Sequence, residues 1–129
     1  KVATGDSFRV VLMTDNVGTL GTLNCYYFYF GSDEKFYLIK DAVALTTLFV
    51  SSATFSLGSW YKIRITRSAA GVFTIYHSTD RGITWTQTVA GSGSNPVTST
   101  THTTSRFAFV QTTAASSRVR NFIFKSYVT

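Results

Sequence analysis

Few side chains in this 129-residue chain can carry covalent chemistry, which has two histidines, one cysteine and six acidic residues. Acyl transfer needs a nucleophile with a base beside it, and no G-x-S-x-G elbow occurs. His77 falls at the end of a strand pattern just before a turn, and His102 falls in a threonine-rich loop; both read as structural or polar loop residues. Zinc needs three or four clustered His, Cys or acidic ligands, a set this chain does not assemble. Cys25 has no second cysteine to bond, and its context NCYYFYF brings neither a base nor a cation. It reads as a small buried hydrophobe. The only glutamate, Glu34, sits beside Asp33 in the turn-like GSDEK. Neighbours on a strand face opposite ways, so the two make a poor acid–base pair. No catalytic residue is assigned.

Binding chemistry is better supplied. The chain is 16% aromatic and carries a formal charge of +6, which favours an anionic partner. Lys62 and Arg64 alternate along one strand pattern, Arg118 and Arg120 along another, and Lys35 and Lys40 flank a third. Brought side by side, their outward faces would form a basic stripe. Trp60 shares the parity of Lys62 and Arg64, which makes it the tryptophan to expect at the surface. Tyr27 and Tyr29 share one face of Thr22–Phe30 with Cys25, while Tyr26, Phe28 and Phe30 share the other. One of these faces belongs to the core, and the other is open to a partner. Single-stranded nucleic acid can bind a basic aromatic sheet, but no oligonucleotide-binding signature is present and nucleic acid is not an expected partner. The ligand-binding candidates are therefore Trp60, Tyr27, Tyr29, Lys62 and Arg64.

The elements that must position these residues are all strands. Period-two segments bounded by Gly, Ser, Asn or Asp recur at Ser7–Thr14, Thr22–Phe30, Lys35–Lys40, Ala42–Val50, Trp60–Arg67, Val72–Ser78, Ile83–Val89, Arg106–Gln111 and Arg118–Tyr127. In Trp60–Arg67 the pattern turns Tyr61, Ile63 and Ile65 toward the core and Lys62, Arg64 and Thr66 toward water. Phe73 with Ile75, and Phe107 with Phe109, are further core pairs. Phe122 and Phe124 share one side of the last segment, whose opposite side is also apolar. No apolar run approaches the roughly 18 residues of a spanning helix, so membrane insertion is not expected. Gly91–Ser105 lacks apolar periodicity and holds the only proline, Pro96. It reads as a long loop, either functional or crossing between sheets. Strands at this spacing predict an all-β, antiparallel two-sheet sandwich of the jelly-roll kind, one domain over 1–129. In STDRGITW the residues Ser78, Asp80, Gly82 and Trp85 predict a structural turn. Asp80 accepts from the turn backbone, Gly82 takes a positive φ, and Trp85 covers the hairpin.

The run GSWYKIRITRSAAGVFTIY resembles the central hairpin of the concanavalin A-like lectin/glucanase superfamily, in particular its laminin-G-like members. Gly58, Trp60, Tyr61, Ile63, Ile65 and Arg67, then Gly71, Phe73, Ile75 and Tyr76, stand at the pattern positions. GDSFRVVLMT and RVRNFIFKSYV resemble the paired segments that open and close such sandwiches. With STDRGITW and SNPVT, the combination resembles modules of phage tail and head proteins and bacterial surface proteins. STDRGITW also resembles the Asp box of sialidases, a turn stabiliser remote from catalysis. One copy cannot build a propeller.

This resemblance implies carbohydrate binding through exposed Trp and Tyr, and it invites a glycosidase reading. That chemistry needs two facing carboxyl groups, and the glucanase E-x-D-x-x-E strand is absent. Calcium, which many relatives hold through loop oxygens, would have Asp15, Asn16, Asp33 and Asp41 as candidate ligands, although their spacing fits no calcium loop; no other cofactor is expected. The chain is thus expected to be a non-catalytic module of assembly, display or adhesion in a phage-like virion or an extracellular surface structure. Self-association or other structural subunits are its expected partners. The alternative is a lectin-like carbohydrate-binding domain.

Overall fold

The computed structural model describes residues 8–14, 23–42, 44–56, 58–103 and 107–112. Within them the chain forms β1 (Phe8–Thr14), β2 (Cys25–Phe30), β3 (Phe36–Asp41), β4 (Thr46–Ser51), β5 (Lys62–Arg67), β6 (Val72–Ser78), β7 (Thr86–Gln87), β8 (Ala90–Gly93), β9 (Val97–Thr98) and β10 (Phe107–Thr112). No helix occurs among the described residues. The segment Arg118–Tyr127 with Phe122 and Phe124 lies outside them, as do Arg118, Arg120, Asp15, Asn16 and the Phe107 and Phe109 side chains.

All pairings are antiparallel and form two sheets. One has six strands in the order β10-β1-β2-β3-β4-β8. The other has four, with β5 and β7 flanking β6 and β9 also pairing with β6. β7 meets β6 at Tyr76 and His77, whereas β9 meets it at Val72 and Phe73, so the two short strands share one edge of β6 in succession.

Two segments depart from the pattern of their sequence. The strand expected over Ile83–Val89 shrinks to Thr86–Gln87, because Ile83 and Thr84 donate to Asp80 in the preceding turn. The loop expected over Gly91–Ser105 instead completes β8 and contains β9. The glycines that hide the pattern permit the pairing. Gly93 sits at φ 74°, where a Cβ would collide with the Leu48 carbonyl oxygen, so β8 reaches β4 only without a side chain there.

The sheets face each other as a β-sandwich. Val10, Tyr26, Phe28, Phe30, Phe36, Leu38 and Phe49 point inward from the six-stranded sheet and meet Phe73 and Ile75 of β6, with Phe55 of the β4–β5 connection between them. Ile63 and Ile65 are half-buried against this core, while Lys62, Arg64 and Thr66 are exposed, as the alternation requires. The other face of the six-stranded sheet carries a second buried cluster of Val11, Leu23, Cys25, Tyr27 and Ile39. Cys25 is fully buried within it, and burial, reinforced by the Asp41 charge, pushes its thiol up to about 12. The folded protein should therefore resist thiol reagents at neutral pH and react stoichiometrically once denatured. Rapid labelling of the native chain would show that this cluster opens.

Candidate functional site

The site is built on the outer face of the four-stranded sheet, starting from the turn between β6 and β7. The Ser78 hydroxyl donates to Asp80 Oδ1 at 2.7 Å, and the Gly82 amide donates to Ser78 Oγ at 2.8 Å. The amides of Ile83 and Thr84 and the Thr84 hydroxyl also donate to the Asp80 carboxylate. Gly82 adopts φ 91°, as the turn signature predicts.

These donors, Ser78 first and then Thr84, hold the Asp80 carboxyl well below the usual carboxylate range. A depressed folded-state pKa contributes stability that is complete above the ordinary carboxylate value and is lost as the pH falls. Asp80→Asn should lower the melting temperature at neutral pH and flatten its decline between about pH 5 and pH 2. Melting curves of both proteins across that range check this. Parallel curves would mean that the Asp80 charge does not hold the turn.

The turn delivers Trp85 to the sheet surface. Lys62 pairs with Ser78 and Arg64 with Tyr76 in the β5–β6 register, so both cations point outward beside the turn. The Arg64 guanidinium lies 4.5 Å from the Tyr76 ring centre and 4.6 Å from that of Trp85. This fixes an otherwise mobile side chain by cation–π attraction. The Lys62 stem runs across Gly82, since a Cβ there would lie 2.9 Å from Lys62 Cδ and 3.5 Å from the Trp85 ring. Trp60 precedes β5 at the same end and is 50% exposed, while its neighbour Tyr61 turns inward to meet Phe55 edge-on. Arg81 and Ile83 project from the turn, Ile83 at 83% exposure. Asp80 is the only carboxylate between Gly58 and Thr103, against the four cations Lys62, Arg64, Arg67 and Arg81.

Of the sequence candidates, Lys62 and Arg64 thus meet on one face with the structural residues Gly82 and Trp85, and half-exposed Trp60 leads into β5 two residues before Lys62. Tyr27 and Tyr29 lie on the other sheet. Tyr27 is 6% exposed, so its ring offers little open surface for stacking, and Tyr29 stacks on Tyr37 at 4.6 Å between centres. Lys40 lies in β3 and Lys35 just before it, so among the described residues the basic surface seen here is made by Lys62, Arg64 and Arg81.

The remaining chemistry-bearing residues are engaged in the framework. Asp33 accepts from the Tyr37 hydroxyl at 2.6 Å, which pushes that phenol up to about 12. Glu34 holds a turn position at φ 63°, and its carbonyl accepts from the Phe55 amide. Asp41 is buried, and no cluster of three potential metal ligands occurs among the described residues. His77 faces inward, 3.0 Å from Thr88 Oγ1, and burial lowers its pKa. His102 is more than a polar loop residue. Its ring contacts the Asp41 carbonyl at 2.8 Å, its amide donates to the Tyr26 hydroxyl, and its carbonyl accepts from Arg67. It ties the two sheets together at one end.

Sequence reasoning overlooked Tyr76 as a site residue, although it has the parity of an outward position opposite Arg64. Comparison with protein families, with curated proteins and with solved structures finds no match to this chain.

Proposed function

We propose that this chain is a non-catalytic module of adhesion or display in an extracellular or virion surface structure. It binds carbohydrate through the outer face of its four-stranded sheet. The observation that carries the reading is the Arg64 guanidinium held against Tyr76 and Trp85, with Lys62 beside it, on the outer face of this sheet, into which half-exposed Trp60 leads. Fixed cations beside a half-exposed tryptophan suit recognition of a polar ligand such as a sugar. The pairing of the first and last described strands, β1 with β10, supports a jelly roll of the concanavalin A-like kind. The uninterrupted β1–β4 meander is where the chain departs from Greek-key crossing.

Assembly is the second reading, favoured by the position of β5 at the end of its sheet. Exposed charges such as Lys62 and Arg64 blunt a strand edge against pairing with another chain, so adhesion stands ahead of it. A glycan array with Trp60→Ala as control, beside light scattering over a hundredfold concentration range, separates the two. Trp60-dependent glycan binding by a monomer supports adhesion. Discrete oligomers without glycan binding would replace it with assembly.

A further inference from the structure

We infer that the ligand of this face is an acidic polysaccharide, with Arg64 and Lys62 pairing with its carboxylate or sulfate groups; the inference rests on the reading of the face as a carbohydrate-binding surface. The Arg64 guanidinium carbon lies against both Tyr76 and Trp85, and a π-system offers its N–H donors no strong acceptor. Among the described residues no acceptor takes them: Arg64, Lys62 and Arg81 have neither an ion pair nor a hydrogen bond. A guanidinium held in place with unspent donors is prepared for an oxyanion, because little side-chain freedom remains to be lost on pairing.

Lys62 stands two residues from Arg64 on the same side of β5, about 7 Å away along the strand. Two cations in a row suit a chain bearing repeated acids better than a single small anion. Among the described residues the carboxylate of the adjoining turn, Asp80, has its oxygens taken by the turn itself. A saccharide is favoured over nucleic acid because the rings of Tyr76 and Trp85 are already occupied by Arg64. Trp60 alone cannot stack the successive bases that single-strand binding uses. It is favoured over a lipid surface because Ile83 is the only strongly exposed aliphatic residue on the turn, too little apolar area to insert.

The chain has two tryptophans, of which Trp85 touches Arg64 on this face and Trp60 leads into β5, so intrinsic fluorescence reports on the surroundings of the face. Heparin fragments, polygalacturonate and neutral dextran of matched length serve as probes. At least one acidic polymer should give a saturable response at least tenfold tighter than dextran. Arg64→Gln should weaken it tenfold or more, whereas Lys35→Gln, the same loss of charge on the other sheet, should change it less than twofold. Arg64→Lys should fall between wild type and Arg64→Gln, and melting curves verify that each variant folds. Equal weakening by Arg64→Gln and Lys35→Gln would reduce the effect to general attraction and overturn the inference. Dextran binding as tight as that of either acid, indifferent to Arg64, overturns it while leaving the carbohydrate reading intact. Phosphatidylserine vesicles or oligothymidylate binding tighter than every polysaccharide overturns both, as does a lack of response to any of the polymers.

Discussion

Replacing Phe73 with alanine is expected to cost about 3–5 kcal/mol of folding stability, the range for emptying a buried phenylalanine site. Phe73 is 1% exposed on β6, the strand on which the whole four-stranded sheet is assembled. Its ring meets Tyr26 of the opposite sheet edge-on at 4.8 Å, and the Arg67 guanidinium lies 5.4 Å from its centre. Truncation therefore removes apolar burial, an aromatic pair and one side of the Arg67 pocket at once. Because Tyr26 also bonds to Ser99 and His102, the neighbours are held and cannot close the cavity cheaply. Urea denaturation gives the test, through a lower midpoint at an unchanged slope. A domain of ordinary stability, about 5–15 kcal/mol, would lose a large share of it. Should Phe73→Ala fail to fold, Phe73→Leu gives a smaller, measurable loss. Thr66→Ala, on the outer face of β5, should stay within about 0.5 kcal/mol. A cost below about 1 kcal/mol for Phe73→Ala would mean that this ring does not couple the sheets.

The second large effect is expected at Asn95, at about 2–4 kcal/mol for Asn95→Ala, from one stranded buried amide and two further lost hydrogen bonds. β7 and β9 leave a gap along the edge of β6, and Ile75 lies in it. There the Asn95 side chain takes the place of a peptide group. Its Oδ1 accepts from the Ile75 amide at 3.0 Å, and its Nδ2 donates to the carbonyls of Ile75 at 2.8 Å and Thr88 at 2.6 Å. The Ile75 carbonyl keeps a second donor in the Thr88 amide, so the Ile75 amide and the Thr88 carbonyl are the groups that truncation leaves without their partner. Asn95→Asp keeps the acceptor but loses both donors, and it should be at least as damaging at neutral pH. That variant should recover partly in acid, where a protonated carboxyl can donate again. Hydrogen exchange at the Ile75 amide is the direct readout. Unchanged protection in Asn95→Ala would sink the idea that this side chain completes the sheet.

Both predictions show where sequence reading reaches and where it stops. Alternation along Trp60–Arg67 and Val72–Ser78 was enough to place Ile63, Ile65, Phe73 and Ile75 inward and Lys62 and Arg64 outward, because a strand has no other way to divide its side chains. The turn chemistry of Ser78, Asp80 and Gly82 was equally legible, since every bond in it spans four residues or fewer. β8 and β9 were not, because such short ladders on glycine, serine and threonine carry no apolar period. Their partners, not their own composition, make them strands.

The candidate site divides the same way. The surface position of Trp60 and the cations beside it follow from parity, a property local to one strand. The clamp on Arg64 requires the register that sets it opposite Tyr76 and the turn that carries Trp85 back across the sheet. β2 poses the same problem, with rings on both faces. Alternation separates Tyr26, Phe28 and Phe30 from Tyr27 and Tyr29, but only packing against β6 makes the first set the core between the sheets. The sequence alone determined the longer strands β1 to β6, the direction of their side chains and the turn, all set by the backbone and its nearest neighbours. The tertiary structure alone decided which faces meet, what completes the edge of β6 and what holds Arg64, since these depend on contacts between residues far apart in the chain.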